Sequence, residues 1–91
     1  MIQLTECTIR NQTDEQITIV GVNGTEDITL AKGGEAFAEH VEFQLLFIPN
    51  SFYSSSDDSE QEHETCTFRR LRDEFRLWVN EELIATFRLN G

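Results

Sequence analysis

Apolar and polar residues alternate with a period of two over most of this chain, the pattern of strands that bury one face. Ile2 to Arg10 is the first such run; its apolar phase switches between Leu4 and Cys7, which predicts a bulge. Gln16 to Val22 is the second. Asn23-Gly24 then supplies two residues that accept the positive φ of a tight hairpin, and Glu26 to Ala31 returns with Ile28 and Leu30 on one face. Lys32-Gly33-Gly34 marks the next turn. Beyond it Phe37, Val41, Phe43, Leu45 and Phe47 occupy odd positions, broken by Glu39, and predict a strand whose far end, through Ile48, is buried on both sides. The competing pattern there is helical, since Phe37, Val41, Leu45 and Ile48 also fall at helical spacing.

The C-terminal segment poses the same contest. As a helix, Phe68, Leu71, Phe75, Trp78 and Val79 share a face. As a hairpin joined by Asn80-Glu81-Glu82, the chain pairs Val79 with Leu83, Leu77 with Ala85 and Phe75 with Phe87 on one face. The other face then brings Trp78 beside Ile84 and Glu74 beside Arg88. One register that matches apolar to apolar and acid to base favours the hairpin. Its weak point is the third loop position, where a left-handed residue is wanted and Glu82 is a poor candidate.

Frequent Thr, Ile, Val and Phe with closely spaced turn signals predict a mostly β protein. The expected architecture is a small antiparallel β-sandwich or barrel-like sheet of about six to seven strands. The alternative is an α+β arrangement with a C-terminal helix around residues 67–82. The 91 residues suit a single domain spanning 1–91, and an apolar content of 38% with seven Phe and one Trp is enough for a packed core.

Pro49 to Glu64 interrupts the alternation. Ser51, Ser54, Ser55, Ser56 and Ser59 stand among Asp57, Asp58, Glu60, Glu62 and Glu64, which reads as a long acidic Ser-rich loop at 49–64. If its end is extended, Glu60, Glu62 and Glu64 line one face about 6.6 Å apart, close to the phosphate spacing of a nucleic-acid strand. Phe52 and Tyr53 lie at its start, as aromatic anchors of an interface do.

Charge sharpens this picture. Seventeen acids against seven bases leave a net charge of −10 and a pI near 4.4. Residues 1–66 hold thirteen acids and two bases, whereas 67–91 hold four acids and five arginines. Such a field repels phosphate backbones and anionic membranes and draws in basic surfaces, so direct nucleic-acid or membrane binding is not expected. The arginine cluster Arg69, Arg70, Arg72, Arg76 and Arg88 is expected to alternate across a sheet and pair with acids such as Glu74 or those of the preceding segment. No secretory or membrane segment is visible, which makes the cytoplasm the expected location and reduced, buried thiols the expected state of Cys7 and Cys66. Asn11-Gln12-Thr13 and Asn23-Gly24-Thr25 match the glycosylation pattern, which carries no meaning without secretion.

Catalytic and metal chemistry find little support. Asp57, Ser59 and Gln61 imitate the first ligands of a calcium loop, but Glu62 and Phe68 stand where it needs Gly and Glu. His63 and Cys66 are at most a metal half-site, which His40 and Cys7 would have to complete from distant segments. Nothing marks a triad or a phosphate-binding glycine loop, so no catalytic residue, metal or cofactor is assigned.

The expected function is therefore a non-catalytic interaction module that sets its acidic surface on a basic, nucleic-acid-handling protein and blocks it. Asp57, Asp58, Glu60, Glu62, Glu64, Phe52 and Tyr53 form the expected contact set. By size, charge and β-character the chain resembles, at the level of class, the small acidic inhibitors that phages make against host nucleases, including anti-CRISPR and anti-restriction proteins. The alternatives are a structural or assembly module whose sheet edges pair between copies, which leaves homo-oligomers open, and a carbohydrate-binding module built around Trp78.

Overall fold

The computed structural model describes residues 1–89 as strands and tight connections, with no helix among them. The strands are β1 (Ile2–Asn11), β2 (Ile17–Val20), β3 (Ile28–Leu30), β4 (Glu35–Phe43), β5 (Leu45–Ile48), β6 (Ser51–Ser54), β7 (Ser59–Glu62), β8 (Thr65–Leu71), β9 (Glu74–Val79) and β10 (Glu82–Leu89). They form one nearly closed, barrel-like sheet in the order β3-β2-β5-β6-β10-β9-β8-β1-β4, with β7 paired to β1 alongside β8. The mostly β, barrel-like class matches the expectation, with ten strands rather than six or seven. The sheet is not purely antiparallel, because β1 pairs in parallel with β7 and then β8.

β1 is the spine. Ile2, Leu4, Cys7 and Ile9 are wholly buried, and the phase change between Leu4 and Cys7 is made by Glu6, left-handed at φ 49°; it is not the expected bulge, because the register runs on unshifted at either side of it. Its neighbours change phase at the same level. On β4 the buried positions on either side of this level are Ala38 and Val41, followed by Phe43, and the register Thr5↔His40, Cys7↔Ala38 leaves Glu6 opposite Glu39. On the parallel side the matching residue is His63, left-handed at φ 56°, between β7 and β8.

The predicted strand over 37–48 is two strands. A bend at Gln44 takes the chain from β1, its partner along β4, to β2 and β6, its partners along β5. Because face alternates strictly along a strand, the two phase changes at Glu39–His40 and Gln44 undo the expected single face. Phe37 is 62% exposed, while Leu46 and Ile48 take the buried positions.

Both predicted hairpins form. β2 and β3 pair as Ile17↔Leu30 and Ile19↔Ile28, the register set by a two-residue turn at Asn23-Gly24, where both residues have positive φ. Just before it Gly21 is required by close approach, since a Cβ would lie 2.4 Å from the Thr25 carbonyl oxygen. β9 and β10 pair as predicted at Leu77↔Ala85, Phe75↔Phe87 and Glu74↔Arg88. Near the turn the register differs. The connection is the two-residue Asn80-Glu81 with Asn80 left-handed, so Glu82 faces Val79 and Leu83 faces Trp78, and a bulge at Ile84 restores the rest. Asparagine tolerates positive φ far better than glutamate, which removes the weak point of the three-residue loop.

The loop expected over 49–64 carries two strands, β6 and β7. Only 55–58 is irregular between them. Inside, Phe43 stacks on Phe87 at 5.8 Å and 8°, and Phe68 tilts against both at 6.5 and 6.0 Å, joining β4, β8 and β10. Tyr53 meets Phe75 edge-on at 4.8 Å. Asn11, the buried residue of the first glycosylation-like triplet, ties the end of β1 to the end of β3. Its amide donates to the carbonyls of Glu15, Leu30 and Ala31, and its Oδ1 accepts from the Thr13 N–H and hydroxyl.

Phe43 is wholly buried at the centre of the aromatic cluster, so Phe43→Ala is expected to cost about 3–5 kcal/mol of stability. A urea titration followed by Trp78 fluorescence measures it, with a lowered midpoint and an unchanged slope as the expected result.

Candidate functional site

β7 is a strand of four residues, Ser-Glu-Gln-Glu, whose poor intrinsic preference is overridden by its register on β1. Ile2 pairs with Ser59 and Thr5 with Glu62. At the two ends the Ser59 N–H donates to the Met1 carbonyl at 3.3 Å and the His63 N–H to the Thr5 carbonyl at 3.1 Å. Ser59 and Gln61 are half-buried, and Glu60 and Glu62 point out. Two of the three glutamates expected in a row therefore share one outward face. Glu64 does not, because the phase change at His63 moves the exposed positions from even to odd numbers and leaves it half-buried.

The remaining expected contact residues separate. Asp57 is exposed, but its carboxylate is a structural cap. One oxygen accepts from the Thr86 N–H at 2.9 Å and from the Ser55 hydroxyl at 3.0 Å, covering β10 where β6 no longer pairs with it. The Thr86 N–H first, and then the Ser55 hydroxyl, hold its carboxyl below the usual carboxylate range. Asp58 pairs with the Met1 amino group. Phe52 is 47% exposed and packs edge-on against Phe47 at 5.2 Å. Tyr53 is 7% exposed and belongs to the core, so it is removed from the contact set.

The arginines do not neutralise this segment. Arg76 and Arg88 both bind Glu74, at 3.0 and 3.3 Å, and Arg76 in particular holds the Glu74 carboxyl below its usual range. Arg70 binds Glu15 at 2.9 Å. Arg69 lies 5.7 Å from the centre of the Trp78 ring and donates to Gln12. The expected pairing with Glu74 is present. Among the described residues, no arginine bridges Asp57, Asp58, Glu60, Glu62 or Glu64. Trp78 is half-buried with one ring face under Arg69, which leaves little of the platform that a carbohydrate site needs.

His63 and Cys66 part company on either side of β8's start. His63 is exposed and bridges Glu6 at 2.8 Å, whereas Cys66 is wholly buried. His40 is held by the Thr5 hydroxyl and Glu42. These residues therefore do not assemble the metal site considered from sequence. Glu6, Glu62 and His63 bring their ligand atoms within 4.8 Å, all exposed; their spacing in sequence gave no signal, since Glu6 arrives through the parallel register. Cys7 and Cys66 are free thiols with sulfurs 3.0 Å apart, and the hydrogen bond that Cys66 shares with Cys7, together with burial, pushes the Cys66 thiol up.

Comparison with family models, known proteins and solved structures finds no match to this chain.

Two outcomes follow from this geometry. Asp57→Ala is expected to cost about 1 kcal/mol, the net worth of such hydrogen bonds. Since the folded carboxyl titrates below its unfolded value, its stabilisation is present above the unfolded pKa and disappears as pH falls through the folded one. The parent and Asp57→Ala should thus converge in thermal midpoint on acidification below about pH 4. Both thiols should resist maleimide in the native protein and react fully in denaturant, as read by mass spectrometry.

Proposed function

We propose that this protein is a non-catalytic docking module that sets the acidic strand β7 on a basic surface of a nucleic-acid-handling protein and so competes with that partner's nucleic acid. The reading is carried by one observation: Glu60 and Glu62 lie exposed on one face of a hydrogen-bonded strand, with no arginine neutralising them. Residues two apart on a strand are separated by about 6.6 Å, near the spacing of consecutive phosphates. A strand holds them at that spacing before contact, which lowers the ordering cost of binding. The net charge of −10 adds long-range attraction toward a basic face and speeds encounter. Asp58 lies next to the row, and exposed Phe52 is a separate apolar contact; Asp57 supports the segment from behind.

The test uses the pair that the fold does not need. Glu60→Lys with Glu62→Lys should preserve the thermal midpoint and weaken capture of a basic nucleic-acid-binding protein from low-salt lysate about tenfold or more. Binding by the parent should fall as salt rises from 50 to about 200 mM, as surface charge contacts do. Equal capture by parent and double variant would remove β7 from the mechanism.

A further inference from the structure

Among the described residues, β7 has a strand partner on one side only. Its register and the two bonds at its ends show which backbone groups that partner uses. Ser59 and His63 direct their N–H groups at β1, and the two-residue alternation of a strand sends those of Glu60 and Glu62 the other way. The free edge therefore consists of the N–H and C=O of Glu60 and Glu62, the residues whose carboxylates face outward. Backbone capacity and side-chain charge coincide on the same two residues.

We infer that β7 takes an extended segment of its partner as an added strand, with Arg or Lys at alternate positions facing Glu60 and Glu62. An antiparallel segment places a residue directly opposite each glutamate, and each such pair exchanges two backbone hydrogen bonds. Opposite charges in these positions lie about 5.5 Å apart at the Cα and attract, whereas like charges repel. That rule identifies the occupant. A second copy of this chain would set glutamate against glutamate at the same edge, so the charges that bar self-pairing select a basic strand instead. Intervening residues of the segment face the same side as half-buried Ser59 and Gln61, where small polar side chains suit.

The inference rests on the docking reading and specifies its contact, and defined peptides separate the two. The probe is a capped heptapeptide of alternating threonine and arginine, titrated at low salt into the isotopically labelled full chain. Binding is expected to shift the amides of Glu60 and Glu62 most and to slow their hydrogen exchange about tenfold, with little change at Gln61. N-methylation of the arginine amides should weaken binding about tenfold or more; N-methylation of the threonine amides should leave it unchanged. Glu60→Lys with Glu62→Lys should abolish it. If both methylated peptides bind like the parent while the double variant does not, strand addition is overturned and acidic docking stands. If the parent peptide fails to bind at millimolar concentration, both fall.

Discussion

The structure depends on β1 being hydrogen-bonded along both sides while it changes face in the middle. Side-chain direction alternates with every residue, so a phase change in one strand puts its apolar residues on the wrong side unless its neighbours change too. Here they do. Glu6 on β1, Glu39–His40 on β4 and His63 between β7 and β8 sit at one level, and on either side of it Leu4, Val41 and Ile2, then Cys7, Ala38 and Cys66, all reach the interior. The left-handed backbone at Glu6 and His63 is the local cost, offset by apolar burial above and below.

That register also explains why an acidic, serine-rich segment is ordered. Nothing in Ser59–Glu62 favours a strand, and as a free segment it would stay solvated. It is drawn straight because the chain on either side is fixed: Asp57 caps Thr86 before it, and Cys66 and Phe68 are buried after it. Between these anchors Ser59–Glu62 runs along β1, and the backbone groups that face β1 take the partners offered there.

Charge is then divided by geometry. Surface ion pairs contribute little stability, but they decide which charges stay unneutralised. Five arginines lie on β8, β9, β10 and the turn between the first two, and their carboxylate partners are Glu74 and Glu15. Glu60 and Glu62 remain without an arginine, on a short edge strand. Charge at such an edge works against uncontrolled strand pairing.

The local devices were written in the sequence. Alternation gave the β class, Asn23-Gly24 its hairpin, the switch between Leu4 and Cys7 its change of face, and the matched faces of 74–79 and 82–89 their pairing, because each depends on residues a few positions apart; the bulge expected at that switch does not form, since both neighbours keep register across Glu6. The turn at Asn80 is one residue shorter than alternation predicts, since a bulge at Ile84 conceals the slip from any count of period two. Tertiary structure alone decided the rest: the corner at Gln44, the core position of Tyr53, the cap made by Asp57, and the parallel alignment that puts Glu62 beside Glu6. Those join segments up to fifty-seven positions apart along β1, and a pattern of period two carries no record of which distant strand will supply the missing hydrogen bonds.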